Sequence, residues 1–149
     1  MKTEPDECSI DDALAAPKRL TPWTGVRNYQ ARNFMRDAFG VGDGVLFYHP
    51  SCPEPGIAGI AEVVSGARPD ETQFDPASPY HDPASRRESP RWLGVDVRLV
   101  RKTRLLPLAE MRTAPELATM RVLQRGNRLS ITPVSPAEWD AVLRLLDVA

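Results

Sequence analysis

The chain contains little of what builds metal centres and disulfide frameworks. Of 149 residues only two are cysteine, Cys8 and Cys52, and only two are histidine, His49 and His81. The cysteines lie far apart and belong to no CxxC pattern, so a disulfide framework is not expected. His49 and Cys52 have a loose metal-like spacing, but too few further ligands exist to complete a zinc site. We therefore expect no metal and no cofactor.

An excess of charge of one sign is also missing. Nineteen basic residues face twenty acidic ones, which gives a formal net charge of −1. Coating nucleic acid without sequence preference requires many uncompensated phosphate contacts, so this class is excluded and any nucleic-acid contact must be local. No apolar run approaches the length of a membrane span, and none opens the chain as a signal peptide would. These features indicate a cytoplasmic monomer with one domain over residues 1–149 and no membrane partner.

Helix signals are strong at three places. Ser9-x-x-Asp12 resembles a capping box that begins a brief helix before Pro17. Apolar residues recur with helical spacing from Asn28 to Phe39 and predict an amphipathic helix that ends near Gly40. Ser135-Pro136-Ala137-Glu138 combines an N-cap, a first-turn proline and a capping acid, which predicts a C-terminal helix. Shorter helices are predicted over residues 108–112 and 115–120.

Strand signals lie between these helices. Four strands are predicted from buried or alternating apolar patterns, at residues 45–49, 57–64, 92–101 and 129–132, with a short further strand at residues 1–5. Gly56 and Gly59 suggest a close approach of backbone or ligand. Residues 66–91 contain five prolines, so we expect a long surface loop there, of the kind that is often functional.

The run from Trp23 to Asn33 carries the most chemistry. Its sequence, Trp-Thr-Gly-Val-Arg-Asn-Tyr-Gln-Ala-Arg-Asn, holds two aromatic rings, two arginines and two asparagines. Aromatic faces stack on bases, arginine pairs with phosphate, and the amide of Asn28 matches a base edge. On composition alone a plainer reading is favoured two to one, in which Asn28 is a helix N-cap and Trp23 a core residue.

Several unusual motifs in this order resemble the EVE domain, a member of the PUA-like superfamily beside the YTH readers of methylated adenine. The resemblance is collinear and covers nearly the whole chain. It rests on Met1-Lys2-Thr3-Glu4-Pro5, the run at 23–33, Gly42-Asp43, Phe47-Tyr48-His49, Pro55-Gly56-Ile57-Ala58-Gly59, Pro69-Asp70-x-Thr72-Gln73-Phe74-Asp75, Pro90-Arg91-Trp92, Val95-Asp96-Val97 and Arg128-Leu129-Ser130.

The resemblance implies an α+β fold, with a strongly bent β-barrel flanked by short helices, and a pocket for one extruded, modified base of DNA or RNA. Trp23 would form a cage wall, Asn28 would bind the base edge and Tyr29 would stack on it or support it. The implied pocket comprises Lys2, Thr3, Trp23, Val26, Asn28, Tyr29, Phe47, Tyr48, His49, Leu129 and Ser130. One departure is Pro50, where the family commonly has serine, so the rim loses a hydroxyl and an N–H.

Phosphate contacts are expected from the arginines near this pocket and in the proline-rich loop: Arg27, Arg32, Arg86, Arg87, Arg91 and Arg128. Two other functions remain open. Related amidohydrolases use Lys, Thr and Glu, which occur here as Lys2, Thr3 and Glu4, with Glu62 as a possible substitute acid. Neighbouring strand residues face opposite ways, however, so these three do not converge. Alternatively, the proline-rich loop could dock another protein.

Overall fold

A five-stranded antiparallel arrangement organises the molecule. The computed structural model describes residues 1–3, 8–50, 52–125 and 129–147. Its main sheet has the strand order β1-β5-β3-β2, and the short β4 pairs with the start of β5. The strands are β1 (Leu20–Trp23), β2 (Gly44–His49), β3 (Gly56–Val63), β4 (Arg68–Pro69) and β5 (Leu93–Pro107).

β5 is the central strand and is longer than its sequence pattern predicts. Val95, Val97 and Leu99 are buried as the alternation predicts, and Arg98 between them is exposed. The strand then continues to Pro107, although residues 100–104 are largely exposed and polar. The extension is held by pairing with β3, where Ile60 lies opposite Arg101 and Gly56 opposite Pro107. Hydrogen bonding to a neighbouring strand does not require alternating apolar and polar residues, so the sequence pattern did not predict this extension.

The two glycines of β3 permit the close backbone approach that the sequence predicts. A Cβ atom on Gly56 would lie 2.3 Å from the carbonyl oxygen of Leu106. On Gly59 it would lie 2.4 Å from Cδ1 of Ile10 and 3.0 Å from the carbonyl oxygen of Arg101. β3 therefore packs directly on β5 and on the first helix, and the approach at both glycines is by protein rather than ligand.

The α+β class is confirmed, whereas a closed, strongly bent barrel is not. β1 and β2 are the edge strands of the sheet, and no pairing joins them within the described residues. The predicted strand at residues 129–132 is wrong, because the described part of this segment has no strand conformation. A backbone hydrogen bond from Lys2 N to Ser130 O, 2.8 Å, joins it to the first residues. The first residues form a single bridge between Lys2 and Tyr48 rather than a full strand.

The described residues form these α-helices beside the sheet: α1 (Ile10–Ala15), α2 (Tyr29–Asp37), α3 (Leu108–Met111) and α4 (Pro136–Asp147). The capping predictions are confirmed. Ser9 and Asp12 form a reciprocal box at α1, and Ser135 and Glu138 do the same at α4. The predicted helix at 115–120 is instead a 3₁₀ turn over Pro115–Leu117. No helix among the described residues is long and apolar enough to span a membrane.

Two hydrophobic cores lie on opposite faces of β2. Val45 and Phe47 belong to the core under α1 and α2, whereas Leu46 and Tyr48 belong to the core under α4. This separation follows from the alternation of side chains along a strand. It decides which predicted site residues can meet.

Candidate nucleic-acid interface

Arg27 joins the entrance of α2 to the proline-rich loop. Its Nη1 lies 3.1 Å from Oδ2 of Asp70, and its Nη2 donates to the hydroxyl of Thr72 at 3.1 Å. Nε and Nη2 both donate to the carbonyl of Tyr80, at 3.1 and 2.7 Å. The guanidinium is thus committed to holding this loop. Its five N–H donors already have partners inside the protein, and the phosphate contact expected of Arg27 stays a prediction.

Asp70 is the buried carboxylate at the centre of this arrangement. Burial opposes its ionisation, but hydrogen bonds from the Thr72 hydroxyl, the Gly25 N–H and Arg27 outweigh burial and lower its pKa. Gly25 has a φ of +80°, and a Cβ atom there would lie 2.8 Å from the ring of Tyr80. Glycine is therefore required where the chain turns into α2 against the loop.

Next to this network, two aromatic rings and two arginine side chains form a stack. The rings of Tyr29 and Trp92 are stacked, with centroids 4.8 Å apart. The guanidinium of Arg32 lies 4.8 Å from the centroid of the Tyr29 ring, and that of Arg27 lies 5.4 Å from Trp92. Tyr29 is 52% exposed. Tyr29 thus contacts Trp92 and Arg32, and both of its expected roles, stacking on a base and support, stay predictions.

Beneath the stack, a buried amide ties the proline-rich loop to β5. Oε1 of Gln73 accepts from the Ser85 hydroxyl and from Trp92 N, and its Nε2 donates to the carbonyls of Asp70 and Trp92. The Ser85 hydroxyl also accepts from Arg91 N at 3.0 Å. The prediction of a surface loop is therefore only half right. The segment is irregular and mostly exposed, but fully buried polar side chains fix its course.

Trp23 and Asn28 occupy different surroundings. Trp23 is 6% exposed and packs edge-on against Phe47, with centroids 5.5 Å apart. Asn28 is exposed, and its Oδ1 accepts from Ala31 N at 3.1 Å, which makes it the N-cap of α2. Both plainer readings of these residues hold in this structure. The roles of Trp23 and Asn28 in base binding stay predictions.

One group of predicted pocket residues does come together beside Trp23. The Phe47 ring lies between Trp23 and His49, whose centroid is 5.4 Å away. Nδ1 of His49 bonds to the carbonyl of Thr3 at 2.8 Å, and its Nε2 accepts from Ile10 N at 3.1 Å. Val26 belongs to the same core. A continuous row therefore runs from Thr3 to Trp23.

Lys2 and Tyr48 lie elsewhere. They line a largely apolar cavity of about 610 Å³ between β2, the end of α2 and the start of α4. Burial lowers the pKa of the Lys2 ammonium group and raises that of the Tyr48 hydroxyl. Neither Trp23 nor Asn28 lines this cavity. Phe47 and Tyr48 belong to different cores, and their shared place in a base-binding pocket stays a prediction.

The other arginines expected to contact phosphate differ in the partners that they already have within the protein. Arg32 donates to Asn33 Oδ1 and to the carbonyl of Arg91. Arg87 pairs with Glu71 at 3.0 Å and lies over the Phe74 ring. Arg91 is 3.9 Å from Asp82, and exposed Arg86 has no ion pair within the described residues. Leu129 and Ser130 are half-buried, and Arg128 lies outside the described residues.

Sequence reasoning gave no role to the residues that organise this interface: Asp70, Gln73, Tyr80 and Ser85. The Pro69-Asp70-x-Thr72-Gln73 motif was the available signal, but polar residues in a proline-rich segment are typical of any exposed loop. Only their burial in the fold shows what they do. No cluster of three or more metal-ligating side chains occurs among the described residues.

Comparisons with known proteins agree with this architecture. The family model of the EVE domain matches residues 1–145. Thymocyte nuclear protein 1 of Homo sapiens is 45% identical over 163 residues, which cover 97% of this chain and 72% of that protein. Its counterpart in Gallus gallus is 47% identical, over 92% of this chain and 60% of its own. The chain thus spans about two-thirds of these relatives.

Solved structures extend the similarity to the backbone. A protein from Pseudomonas syringae matches with a TM-score of 0.92 and 44% identity over 97% of this chain and 96% of its own. A crystal structure of human THYN1 protein in complex with DNA containing 5-methylcytosine matches with a TM-score of 0.90 and 43% identity, over 100% of this chain and 96% of that one. Family model, sequence identity and backbone agree, and this chain belongs to the EVE domain family.

Proposed function

We propose that this chain binds DNA that carries a modified base, with 5-methylcytosine as the first candidate, and performs no chemistry on it. The observation that carries the proposal is the complex of human THYN1 protein with DNA containing 5-methylcytosine, a protein 43% identical over 100% of this chain. At that identity the backbone of a binding site is kept, and the TM-score of 0.90 agrees.

For the base itself we propose the surface above the row from Thr3 to Trp23. Trp23 is 6% exposed, and the exposed Asn28 is five residues further along the chain. Oδ1 of Asn28 caps α2, so its two amide N–H groups are the donors that it could offer to a base. A base extruded here would meet the indole of Trp23 and hydrogen-bond to Asn28.

The energies set the expected selectivity. Extruding a base costs a few kcal/mol, and phosphate contacts must supply most of that. One methyl group buried against an aromatic ring contributes about 0.8 kcal/mol. Since 1.4 kcal/mol is a tenfold change in affinity, the methyl group alone gives about a fourfold preference for 5-methylcytosine over cytosine.

Backbone contacts are proposed for the exposed arginines nearest the stack. Arg86 has no ion pair within the described part of the chain, and Arg91 has only a distant one. Arg32 is oriented by Tyr29 and Asn33 and can turn a remaining N–H toward a phosphate. These side chains project from a segment that Gln73 and Ser85 fix in place, so little loop ordering is required on binding.

The geometry favours binding over hydrolysis. Thr3 and Lys2 lie on different sides of the first segment, since only Lys2 lines the cavity beside Tyr48. Both ring nitrogens of His49 are bonded to backbone groups, so the ring is not poised as a general base. Glu62 pairs with Arg98, and Glu4 lies outside the described residues. No arrangement of acid, base and nucleophile is therefore assembled among the described side chains.

The experiment that tests the proposal compares Asn28→Ser with Gln30→Ala. Serine keeps the helix cap but has no amide N–H groups. Gln30 is an exposed amide two residues away on α2 and serves as the matched control. We expect Asn28→Ser to weaken binding of a 5-methylcytosine duplex about tenfold, the cost of a lost base-edge contact, and to leave the melting temperature unchanged. Fluorescence anisotropy with methylated and unmethylated duplexes measures both affinity and selectivity.

Equal binding of the two duplexes by the unaltered protein would refute modified-base recognition. If Asn28→Ser and Gln30→Ala weakened DNA binding equally, Asn28 would not belong to the base-binding site. Catalysis is checked separately by incubating the protein with methylated and acetylated nucleosides and following their masses. We expect no product, and a product that disappears in Lys2→Ala would favour the hydrolase instead.

A further inference from the structure

The turn between α1 and β1 is strained and carries two positive charges. Lys18 and Arg19 have φ angles of 54° and 56°. This left-handed conformation is unfavourable for side chains other than glycine and asparagine. Strained residues that persist in a fold are candidates for a functional role. The turn itself is closed by bonds from Arg19 N to Ala16 O and from Leu20 N to Pro17 O, so the side chains, not the N–H groups, are available.

These two charges are not neutralised by the part of the chain that the structure describes. The cationic side chains of β4 and β5 nearby have carboxylate partners: Arg68, Arg98, Arg101, Lys102 and Arg104. Lys18 and Arg19 are exposed and form no ion pair with any described residue. Two long cations thus occupy backbone conformations that glycine adopts without steric strain.

Both residues border a hollow on the edge of the sheet. It has a volume of about 410 Å³ and is lined by Lys18, Arg19, Arg98, Leu99 and Val100. Arg98 is held by Glu62 on the neighbouring strand. Glu62 already neutralises Arg98, so the charge available at this hollow comes from Lys18 and Arg19, and two neighbouring cations suit a phosphate group.

β1 connects this hollow to the proposed base site. The strand runs from Leu20 to Trp23, so at about 3.4 Å per residue Arg19 lies about 14 Å from Trp23. We propose that Lys18 and Arg19, at the border of this hollow, form a phosphate subsite that binds the nucleic-acid backbone about 14 Å from the extruded base. This inference rests on the proposed function and adds a contact remote from α2.

The decisive variant is Lys18→Gly/Arg19→Gly. Glycine adopts φ angles of 54° and 56° freely, so this variant loses both charges without loss of fold, and its melting temperature should be unchanged or higher. With a 5-methylcytosine duplex, we expect the log–log salt slope of binding to fall by about two units and affinity to fall roughly tenfold. The ratio of affinities for methylated and unmethylated DNA should not change, because phosphate contacts carry no base information.

Arg144→Glu is the control, since it lowers the net charge by the same amount on exposed α4. An equal loss of slope in Arg144→Glu would show a net-charge effect and overturn the subsite. An unchanged slope in the glycine variant, while the unaltered protein still prefers methylated DNA, would overturn the subsite and leave the proposed function intact.

A probe without bases separates the two proposals further. Inorganic pyrophosphate is titrated into the full chain, and backbone amide shifts are followed by NMR. We expect shifts at residues 17–20 and 98–100 that vanish in the glycine variant. This result would support the subsite even if the unaltered protein did not distinguish methylated DNA, which would refute only the proposed function. Absence of these shifts would overturn the subsite.

Discussion

The entrance of α2 and the turn before β1 use the same kind of residue for different ends. At the entrance, Arg27 has a buried carboxylate, a hydroxyl and two carbonyls as partners. At the turn, Lys18 and Arg19 have no carboxylate partner among the described residues and occupy strained backbone conformations. Each of the three side chains carries one positive charge. The role of a cationic side chain depends on whether it already has ion-pair and hydrogen-bond partners within the fold.

The difference has an energetic basis. A buried carboxylate such as that of Asp70 must be paired and hydrogen-bonded, so its arginine cannot be released to a ligand without cost. An exposed lysine or arginine is solvated by water and gains by displacing counterions from a phosphate. The first kind contributes stability to the interface, and the second kind contributes affinity and salt dependence.

The largest expected effect is the loss of stability in Arg27→Ala. This change leaves Asp70 buried without its cation, and we expect the free energy of unfolding to fall by about 3 kcal/mol. Arg36→Ala is the matched control, because Arg36 pairs with Asp37 at 2.8 Å where both side chains are well exposed. There we expect no measurable loss, because water screens an exposed ion pair. Urea denaturation measures both variants, and similar losses would show that the Arg27 network is not stabilising.

A smaller loss of stability is expected at acidic pH. The pKa of Asp70 lies below its usual value of 3.8 in the folded protein, so the folded state binds fewer protons than the unfolded state between these two values. The stability from this group is complete above pH 3.8 and is lost as the pH falls through the folded pKa. We expect unfolding free energy to decrease with falling pH below about pH 4.

Asp70→Asn tests this assignment, since asparagine cannot titrate. The decrease below pH 4 should become shallower in the variant. It should not disappear, because hydrogen bonds from Trp92 and Ala84 also lower the pKa of Asp82. Identical pH profiles for the variant and the unaltered protein, measured by urea denaturation at each pH, would contradict the role of Asp70.

The smallest expected effect is on DNA binding and compares two neighbouring arginines of the proline-rich loop. Arg86 has no ion pair in the described residues, whereas Arg87 pairs with Glu71 and lies over Phe74. If satisfied cations contribute less to binding, Arg86→Ala should lower the salt slope of DNA binding by about one unit. Arg87→Ala should lower it by less. A larger loss in Arg87→Ala, measured by anisotropy at several salt concentrations, would contradict the distinction between satisfied and unsatisfied arginines.

Local signals in the sequence were reliable where the fold depends on neighbours in the chain. The capping boxes at Ser9 and Ser135, the amphipathic α2 and the buried β2 were predicted correctly, because each depends on residues within a few positions. The strand predicted at 129–132 failed for the opposite reason. Apolar residues such as Ile131 are buried there by packing into a core, without a strand partner.

The candidate site shows the same limit. The motif at 23–33 indicated aromatic, cationic and amide groups together, and the fold does bring Trp23, Phe47, His49 and Thr3 into one row. The sequence did not reveal that Arg27 is occupied by Asp70, 43 residues away. Nor did the grouping of Tyr48 with Phe47 follow the alternation of the strand. Their base-binding roles remain to be tested.

The sequence by itself determined the α+β class, the helix ends and the family, since capping, periodicity and collinear motifs are encoded along the chain. Only the tertiary structure decided which charges are satisfied and which face outward. Arg27 meets Asp70 and Gln73 meets Trp92 across long separations, and Lys18 and Arg19 meet no carboxylate that the structure describes. Ion pairs and buried amides depend on distances in space, to which no local pattern in the sequence is sensitive.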